Sequence, residues 1–130
     1  MWDSTGTVVL LSIHFRRKRG GLSPNLAKRN WEDHMARYIL LMNWTDQGVK
    51  SVRESPSRLD GAKALAKKMG CEIREFYLTT GVNDMVTILE APDDATLAKF
   101  NLTLAMGGNV RTTTLKAFPE DAYRKIIGSL

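Results

Sequence analysis

A chain of 130 residues with 43% hydrophobic and 25% charged residues is long enough for one soluble domain and short for two. Its single cysteine, Cys71, excludes an intrachain disulfide and a cysteine-cluster metal site, and an unpaired thiol is typical of the reducing cytoplasm. No apolar stretch approaches the roughly 20 residues that cross a bilayer, so no membrane association is expected.

Six basic and three acidic residues before Met35 give +3 of the net charge of +5, which leaves +2 for the remainder of the chain. Nucleic-acid binding by that remainder is therefore not expected.

The first 34 residues are predicted to be an N-terminal extension outside the fold. The apolar run Val8 to Leu11 precedes the basic run Arg16 to Arg19, whereas a secretory signal has the opposite order. Three interpretations remain open: a basic arm that binds phosphate or an acidic partner, a strand over residues 7–13, and translated upstream sequence. The last is favoured, because Trp31 to Met35 requires purine-rich codons just ahead of an ATG, as in a bacterial ribosome-binding site.

The first strand and helix follow directly. Residues 38–42 form a continuous apolar run, which predicts a strand buried on both faces, since a strand with one wet face alternates. A turn or short helix then runs from Thr45 towards Arg53. Ser55 and Pro56 predict the start of a helix, with Ser55 as its N-cap. This helix ends at Gly70, and its predicted apolar stripe comprises Leu59, Ala62, Leu65, Ala66 and Met69.

The middle of the chain predicts a β-hairpin. Residues 71–80 form its first strand, with the odd-numbered side chains from Cys71 to Thr79 on one face and Arg74, Phe76 and Leu78 on the other. Gly81 to Asp84 is a short turn in which glycine supplies the positive φ. Residues 85–90 return as the next strand.

The last third predicts a helix, a strand and a short terminal helix. Asp93 caps the helix, whose apolar stripe comprises Leu97, Phe100, Leu104 and Ala105. Residues 109–118 form the strand, and the terminal helix runs from Pro119 through Ile127. The order β-α-β-β-α-β predicts an α+β, ferredoxin-like fold with a four-stranded antiparallel sheet and an added C-terminal helix.

The second face of this sheet needs a partner, because the strands are apolar on both faces. The simplest partner is the same face of a second copy. We therefore expect a face-to-face homodimer or a higher even oligomer.

Several segments resemble the GYD-domain family: Met35–Leu41, Asn43–Gly48, Leu65–Gly70, Glu90–Asp94 and Gly108–Thr112. The resemblance covers essentially all of residues 35–130, which agrees with a domain of that extent. The family is named for a Gly-x-Tyr-Asp turn, in which this chain has Asn83 in place of tyrosine. It looks related to the dimeric α+β barrels, which include cofactor-free monooxygenases, haem-degrading enzymes and ligand-sensing regulatory domains. The resemblance implies a fold and an oligomer but no particular activity.

Histidine is absent from Met35 onward, since His14 and His34 both precede it. Ser-His-Asp and Cys-His catalysis therefore lack their base, and haem or metal binding through histidine lacks its ligands. We expect no metal and no cofactor. Cys71 has no cationic neighbour in the sequence that would activate a thiol, and it is expected to be structural.

Polar and aromatic residues near strand ends are candidates for a ligand site. Asp84 is either a turn cap or a general base or ligand acceptor. Arg111, in a Thr-rich strand, either pairs with Glu75 or Asp84 or helps line a pocket for an anionic or carbonyl-bearing ligand. For Trp44, packing at the dimer interface is favoured over lining the pocket. The predicted ligand-binding set comprises Asn43, Trp44, Tyr77, Asn83, Asp84, Arg111 and Thr113.

Three functions remain open. The leading hypothesis is a homo-oligomeric domain that binds a small apolar or aromatic metabolite. The second is a cofactor-independent oxygenase or isomerase of an aromatic or polyketide-like substrate. The third is a structural oligomer, for which a tightly filled interior is expected.

Overall fold

A computed structural model describes residues 34–130 of the chain. The predictions about the N-terminal extension fall on residues 1–33, outside the described part. Residues Met35–Leu130 form one compact unit. Its elements are β1 (Ala36–Trp44), α1 (Asp46–Lys50), a 3-10 turn (Val52–Glu54), α2 (Ser55–Lys68), β2 (Glu72–Leu78), β3 (Met85–Ala91), α3 (Asp94–Met106), β4 (Val110–Ala117) and α4 (Glu120–Gly128).

The four strands form one antiparallel sheet in the order β2-β3-β1-β4. The two central strands are thus the first and third in the chain, which is the arrangement of the split βαβ fold. The predicted α+β, ferredoxin-like fold is confirmed. The hairpin of β2 and β3 and the terminal helix also form where the sequence predicted them.

The helix starts show how local chemistry fixes the boundaries. The Asp93 side chain accepts a hydrogen bond from the Thr96 amide at 2.7 Å, so the predicted cap of α3 is confirmed. The predicted cap of α2 is wrong by one residue. Ser55 already has helical dihedral angles, because the 3-10 turn runs directly into the helix, and Glu54 occupies the cap position without a side-chain bond.

A β-bulge in β2 changes which side chains share a face. The pairing with β3 shifts between Ile73 and Glu75, which leaves Arg74 as the extra residue. Ile73 therefore lies on the same face as Phe76, while Glu75 and Tyr77 lie on the other. The strict alternation predicted across Cys71–Thr80 is wrong for this reason.

The two faces of the sheet differ in cover. On one face, which we call the covered face, α2 and α3 pack over a core in which the largest fully buried side chains are Leu40, Leu89 and Phe100. The predicted stripes of α2 and α3 contribute to this packing. The other face, which we call the open face, has half-buried or exposed side chains that include Ile39, Leu41, Val86, Ile88 and Leu115. Helix α4 also leaves apolar side chains exposed, namely Tyr123, Ile126 and Ile127.

Candidate functional site

A cavity of about 270 Å³ lies between the covered face and the helices α2 and α3. Small-molecule sites in proteins are typically concave and mostly apolar, with a few polar groups that fix orientation. The walls of this cavity fit that description. Its principal lining residues are Leu40, Met42, Trp44, Arg58, Leu59, Ala62, Ile73, Phe76, Met85, Thr87, Phe100, Thr103, Leu104 and Val110.

One end of the cavity is bordered by the loop after α3, which Thr45 and the first turn of α1 hold in place. The amide of Thr45 donates to the carbonyl oxygen of Asn109 at 3.0 Å, and the Thr45 hydroxyl donates to the carbonyl of Gly108. Gly48 is buried against the same loop, and a Cβ there would lie 2.0 Å from the Asn109 carbonyl oxygen. Only glycine permits this approach, so the Thr45–Gly48 segment and the loop form one fixed rim.

Arg58 lines the cavity, but its charge is directed at α1. Its guanidinium donates to the carbonyl and hydroxyl oxygens of Ser51 at 3.1 and 3.2 Å, and to the carbonyl of Gly48 at 3.2 Å. A cation at the carbonyl end of a helix is favourably placed. Arg58 therefore has a structural role, in which it holds α1 and the rim in place.

Two threonine hydroxyls on the cavity walls have different partners. Thr87, in the middle of β3, is 4% exposed, and its hydroxyl donates to the Met42 sulfur at 3.2 Å. Thr103, on α3, donates to the Lys99 carbonyl at 2.7 Å and is exposed. Among the described residues that line the cavity, there is no Asp, Glu, His, Cys, Tyr or Lys. Arg58 and Thr87 line the cavity but were not predicted from the sequence. For Thr87, the available signal was a threonine among the buried residues of β3.

Of the predicted ligand-binding set, the structure places only Trp44 on the wall of this cavity. Asn43 and Asp84 lie together at the end of β1, where the Asp84 amide donates to Asn43 Oδ1 at 2.9 Å. Asp84 Oδ2 accepts from the Trp44 amide at 3.0 Å. The Asn83 carbonyl accepts from the Thr79 hydroxyl at 2.7 Å. The contacts of Asp84 with Asn43 and Trp44 join the hairpin turn to β1, and the Thr79–Asn83 bond lies within the hairpin.

The remaining members of the set lie on the open face. Tyr77 donates its hydroxyl to Glu75, while Arg111 and Thr113 are exposed on β4 opposite Asn43 and Leu41. The expected pairing of Arg111 with Glu75 is wrong. Strands β2 and β4 are opposite edges of the sheet, so two strands separate these residues.

A family model for the GYD domain matches residues 38–127, which is more than half of the chain. The chain belongs to the GYD-domain family. This confirms the resemblance seen in the sequence.

A curated relative of this GYD domain is the "Glutamine synthetase and cystathionine beta-lyase binding protein" of Thermus thermophilus. It is 35% identical over 86 residues, which cover 65% of this chain and 90% of the relative. Among solved structures, the crystal structure of MtbAldR matches with a TM-score of 0.50 at 13% identity. That match covers 64% of this chain and 52% of MtbAldR, so the GYD domain spans about half of that protein's length. The likeness to MtbAldR concerns the fold alone.

The GYD domain also has an ionic cluster at the opposite end of its central strands. Glu90 is 3% exposed and lies between Arg37 and Arg74, at 2.7 and 2.8 Å. Burial raises the pKa of Glu90, but the hydrogen bonds from both arginines outweigh burial and hold this pKa below its ordinary value. The cluster thus links β1, β2 and β3 through ion pairs.

Tyr38 and Cys71 belong to the core of the GYD domain. Burial, and then the hydrogen bond that its hydroxyl donates to Asp94, raises the pKa of Tyr38 well above its usual range. The bond from Tyr38 in turn lowers the pKa of Asp94. Burial also raises the pKa of the Cys71 thiol, which opposes thiolate formation. Neither group is poised for chemistry at neutral pH.

Residues 34–130 contain no group of three or more His, Cys, Asp or Glu side chains arranged to hold a metal ion. None of the helices in this range combines the length and the hydropathy needed to cross a bilayer.

Proposed function

We propose that this GYD domain binds a neutral, apolar or aromatic small molecule in the cavity of the covered face, and that it works as a homo-oligomer. The observation that carries the proposal is the 270 Å³ cavity with largely apolar walls. An apolar cavity of about 150 Å³ holds benzene, so this one has room for a two-ring compound. Such a space in the core argues against the purely structural oligomer, for which a filled interior is expected.

The same walls favour binding over catalysis. General acid-base catalysis needs a group within hydrogen-bond reach of the substrate that titrates near the working pH. The described lining residues offer no carboxylate, imidazole, thiol or amine, and the Arg58 guanidinium is engaged with Ser51 and Gly48. A cofactor-independent oxygenase or isomerase is therefore the less supported alternative for this cavity.

Self-association is proposed to use the open face. Its central side chains Ile39, Leu41, Val86 and Ile88 are only half-buried in the single chain. A contiguous apolar surface of this kind commonly marks an interface, and a two-fold contact would bury the same face of both copies. The cavity opens on the other side of the sheet, so a dimer would leave it accessible.

A pair of variants on α2 tests the binding proposal. Ala62→Phe places a ring in the cavity, whereas Ala64→Phe adds the same ring at an exposed position of the same helix. We expect 2-methylnaphthalene, followed by its own fluorescence, to bind the wild type and Ala64→Phe but not Ala62→Phe. Native mass spectrometry of the freshly purified proteins should show a bound compound in the wild type and in Ala64→Phe, but not in Ala62→Phe. Equal binding by both variants would contradict the cavity as the site.

Sedimentation velocity tests self-association. Ile88→Lys puts a charge on the open face, and Val82→Lys puts the same charge on the hairpin tip, where Val82 is 93% exposed. We expect the wild type and Val82→Lys to sediment as oligomers at micromolar concentration and Ile88→Lys as a monomer. A monomeric wild type would overturn this half of the proposal.

A second candidate function is that of an adaptor for metabolic enzymes. Its support is the Thermus relative, which is named for binding glutamine synthetase and cystathionine beta-lyase and of which the aligned region covers 90%. Purified glutamine synthetase from the source organism of this chain is the direct test. Co-sedimentation at micromolar concentrations is the expected result, and two independently sedimenting proteins would remove this candidate.

A further inference from the structure

The floor of the cavity has a polar group that, among the described residues, hydrogen-bonds only to a weak acceptor. Thr87 lies at the centre of the sheet, opposite Leu40 on β1 and Phe76 on β2. Its side chain is buried and lines the cavity. The hydroxyl donates to the thioether sulfur of Met42, and a thioether is a weak acceptor. A buried hydroxyl is costly unless it is well hydrogen-bonded, so this group would gain from an oxygen partner.

The other polar groups of the cavity are satisfied or lie at its rim. The Thr103 hydroxyl is bonded to the Lys99 carbonyl, and Asn109 Oδ1 accepts from the Gln47 side chain. Arg58 is bonded to the rim. Trp44, Ser55 and Asn109 are less buried than Thr87. The hydroxyl of Thr87 is therefore the polar group that a ligand meets at the buried end.

We infer that Thr87 determines ligand specificity, by hydrogen-bonding one oxygen at the buried end of an otherwise apolar ligand. This inference rests on the proposed function and narrows its ligand class. The ligand would be a neutral aromatic or alicyclic molecule with a single buried hydroxyl or carbonyl oxygen. A carboxylate is disfavoured there, because the apolar neighbours Leu40, Phe76 and Phe100 would leave its charge without a counterion.

The chemistry of threonine suits either form of ligand. A hydroxyl donates one hydrogen bond and accepts others, so it can donate to a carbonyl or accept from a phenol. When a ligand oxygen takes the hydrogen bond, Met42 loses only a weak interaction, and its flexible side chain can repack against the ligand. The site then discriminates between ligands, because a ligand without the oxygen cannot replace the weak Thr87–Met42 hydrogen bond with a stronger one.

Two matched probes and three variants test the inference. The probes are 2-naphthol and 2-methylnaphthalene, which share a ring system and differ in the group that a buried hydroxyl would recognise. Thr87→Val removes the hydroxyl and keeps the branched shape, and Thr87→Ser keeps the hydroxyl. Thr103→Val makes the same change at a wall position whose hydroxyl is already bonded to backbone. Thermal unfolding by circular dichroism shows that each variant is folded.

The expected result is a preference of the wild type for 2-naphthol that Thr87→Val lowers by about threefold to tenfold, the range for one net hydrogen bond. Thr87→Ser and Thr103→Val should keep the preference, and all four proteins should still bind 2-methylnaphthalene. An unchanged preference in Thr87→Val, or an equal loss in Thr103→Val, would overturn the role of Thr87 while leaving the cavity as a binding site. If the wild type binds neither probe, the proposed function fails, and the inference fails with it.

Discussion

The two faces of the sheet are built from alternating residues of the same strands, yet they are buried to different extents. Leu40 on the covered face is 1% exposed, whereas its neighbour Leu41 on the open face is half-buried. The covered face holds the main core and the cavity, and the open face has side chains that the single chain does not fully bury. Period-two alternation thus gives the central strands β1 and β3 one well-buried face and one face that the single chain leaves partly exposed.

The largest difference between the faces is expected for two adjacent leucines. Leu40→Ala should lower the free energy of unfolding by about 2–5 kcal/mol, since it leaves a void in the core. Leu41→Ala should cost about 1 kcal/mol at low protein concentration, and more at higher concentration if the open face is an interface. Urea denaturation at several protein concentrations measures both. Equal losses at every concentration would contradict the contrast between the faces.

The ionic cluster is expected to be the next largest contribution, and it depends on pH. Glu90→Gln should cost about 1–3 kcal/mol, because it removes the buried carboxylate that both Arg37 and Arg74 bind. The pKa of Glu90 is lowered by folding, so its contribution is complete above the ordinary value of 4.5 and is lost as the pH falls through the lower folded value. Urea unfolding between pH 3 and pH 7 measures how the free energy of unfolding depends on pH. This dependence should be less steep in Glu90→Gln than in the wild type. Glu54→Gln, at an exposed position, is the control and should keep the pH dependence of the wild type.

Asp84 joins the hairpin turn to the end of β1, and its loss should have a smaller effect. Asp84→Ala removes the acceptor of the Trp44 amide and should cost about 1–2 kcal/mol. Binding of 2-methylnaphthalene should be retained, because Asp84 does not line the cavity. The exposed Asp60→Ala is the control for stability. Loss of 2-naphthol binding, with stability and 2-methylnaphthalene binding unchanged, would instead support Asp84 as a ligand acceptor.

The smallest effects are expected for two tyrosines that each donate a hydrogen bond to a carboxylate. Tyr38, on the covered face, donates to Asp94, and Tyr77, on the open face, donates to Glu75. Tyr38→Phe should cost about 1 kcal/mol, because the ring is buried and its hydrogen bond is partly shielded from water. Tyr77→Phe should leave thermal stability unchanged, since water replaces the lost partner. A larger loss of stability in Tyr77→Phe than in Tyr38→Phe would contradict the expectation that the covered face contributes more to stability.

The parts of the fold that follow a repeating pattern were predictable from the sequence. The stripe through Leu59, Leu65 and Ala66 required only the helical period, and the cap at Asp93 required only a short polar side chain before an apolar run. The bulge at Arg74 was not predictable, because charged and apolar side chains occur on both predicted faces of β2, so the sequence pattern does not mark where the alternation breaks. The N-cap of α2 was misplaced because the preceding 3-10 turn has no signature distinct from the helix.

The site was harder to predict than the fold, because its residues come from distant elements. Trp44 was chosen for its chemistry and does line the cavity. Arg58 was not singled out in the sequence, because its role depends on how α1 packs against it. Thr87 was not singled out either. Its burial beside Met42 follows from the pairing of β3 with β1, which is a tertiary property.

The burial of Cys71 gives the protein a reporter of its own stability. The chain has a single thiol, it is 3% exposed, and burial raises its pKa. A thiol-specific reagent therefore reacts with the protein only when the junction between α2 and β2 opens. The rate of that reaction measures the free energy of opening under native conditions, so the effect of each substitution can be followed without an introduced label or denaturant.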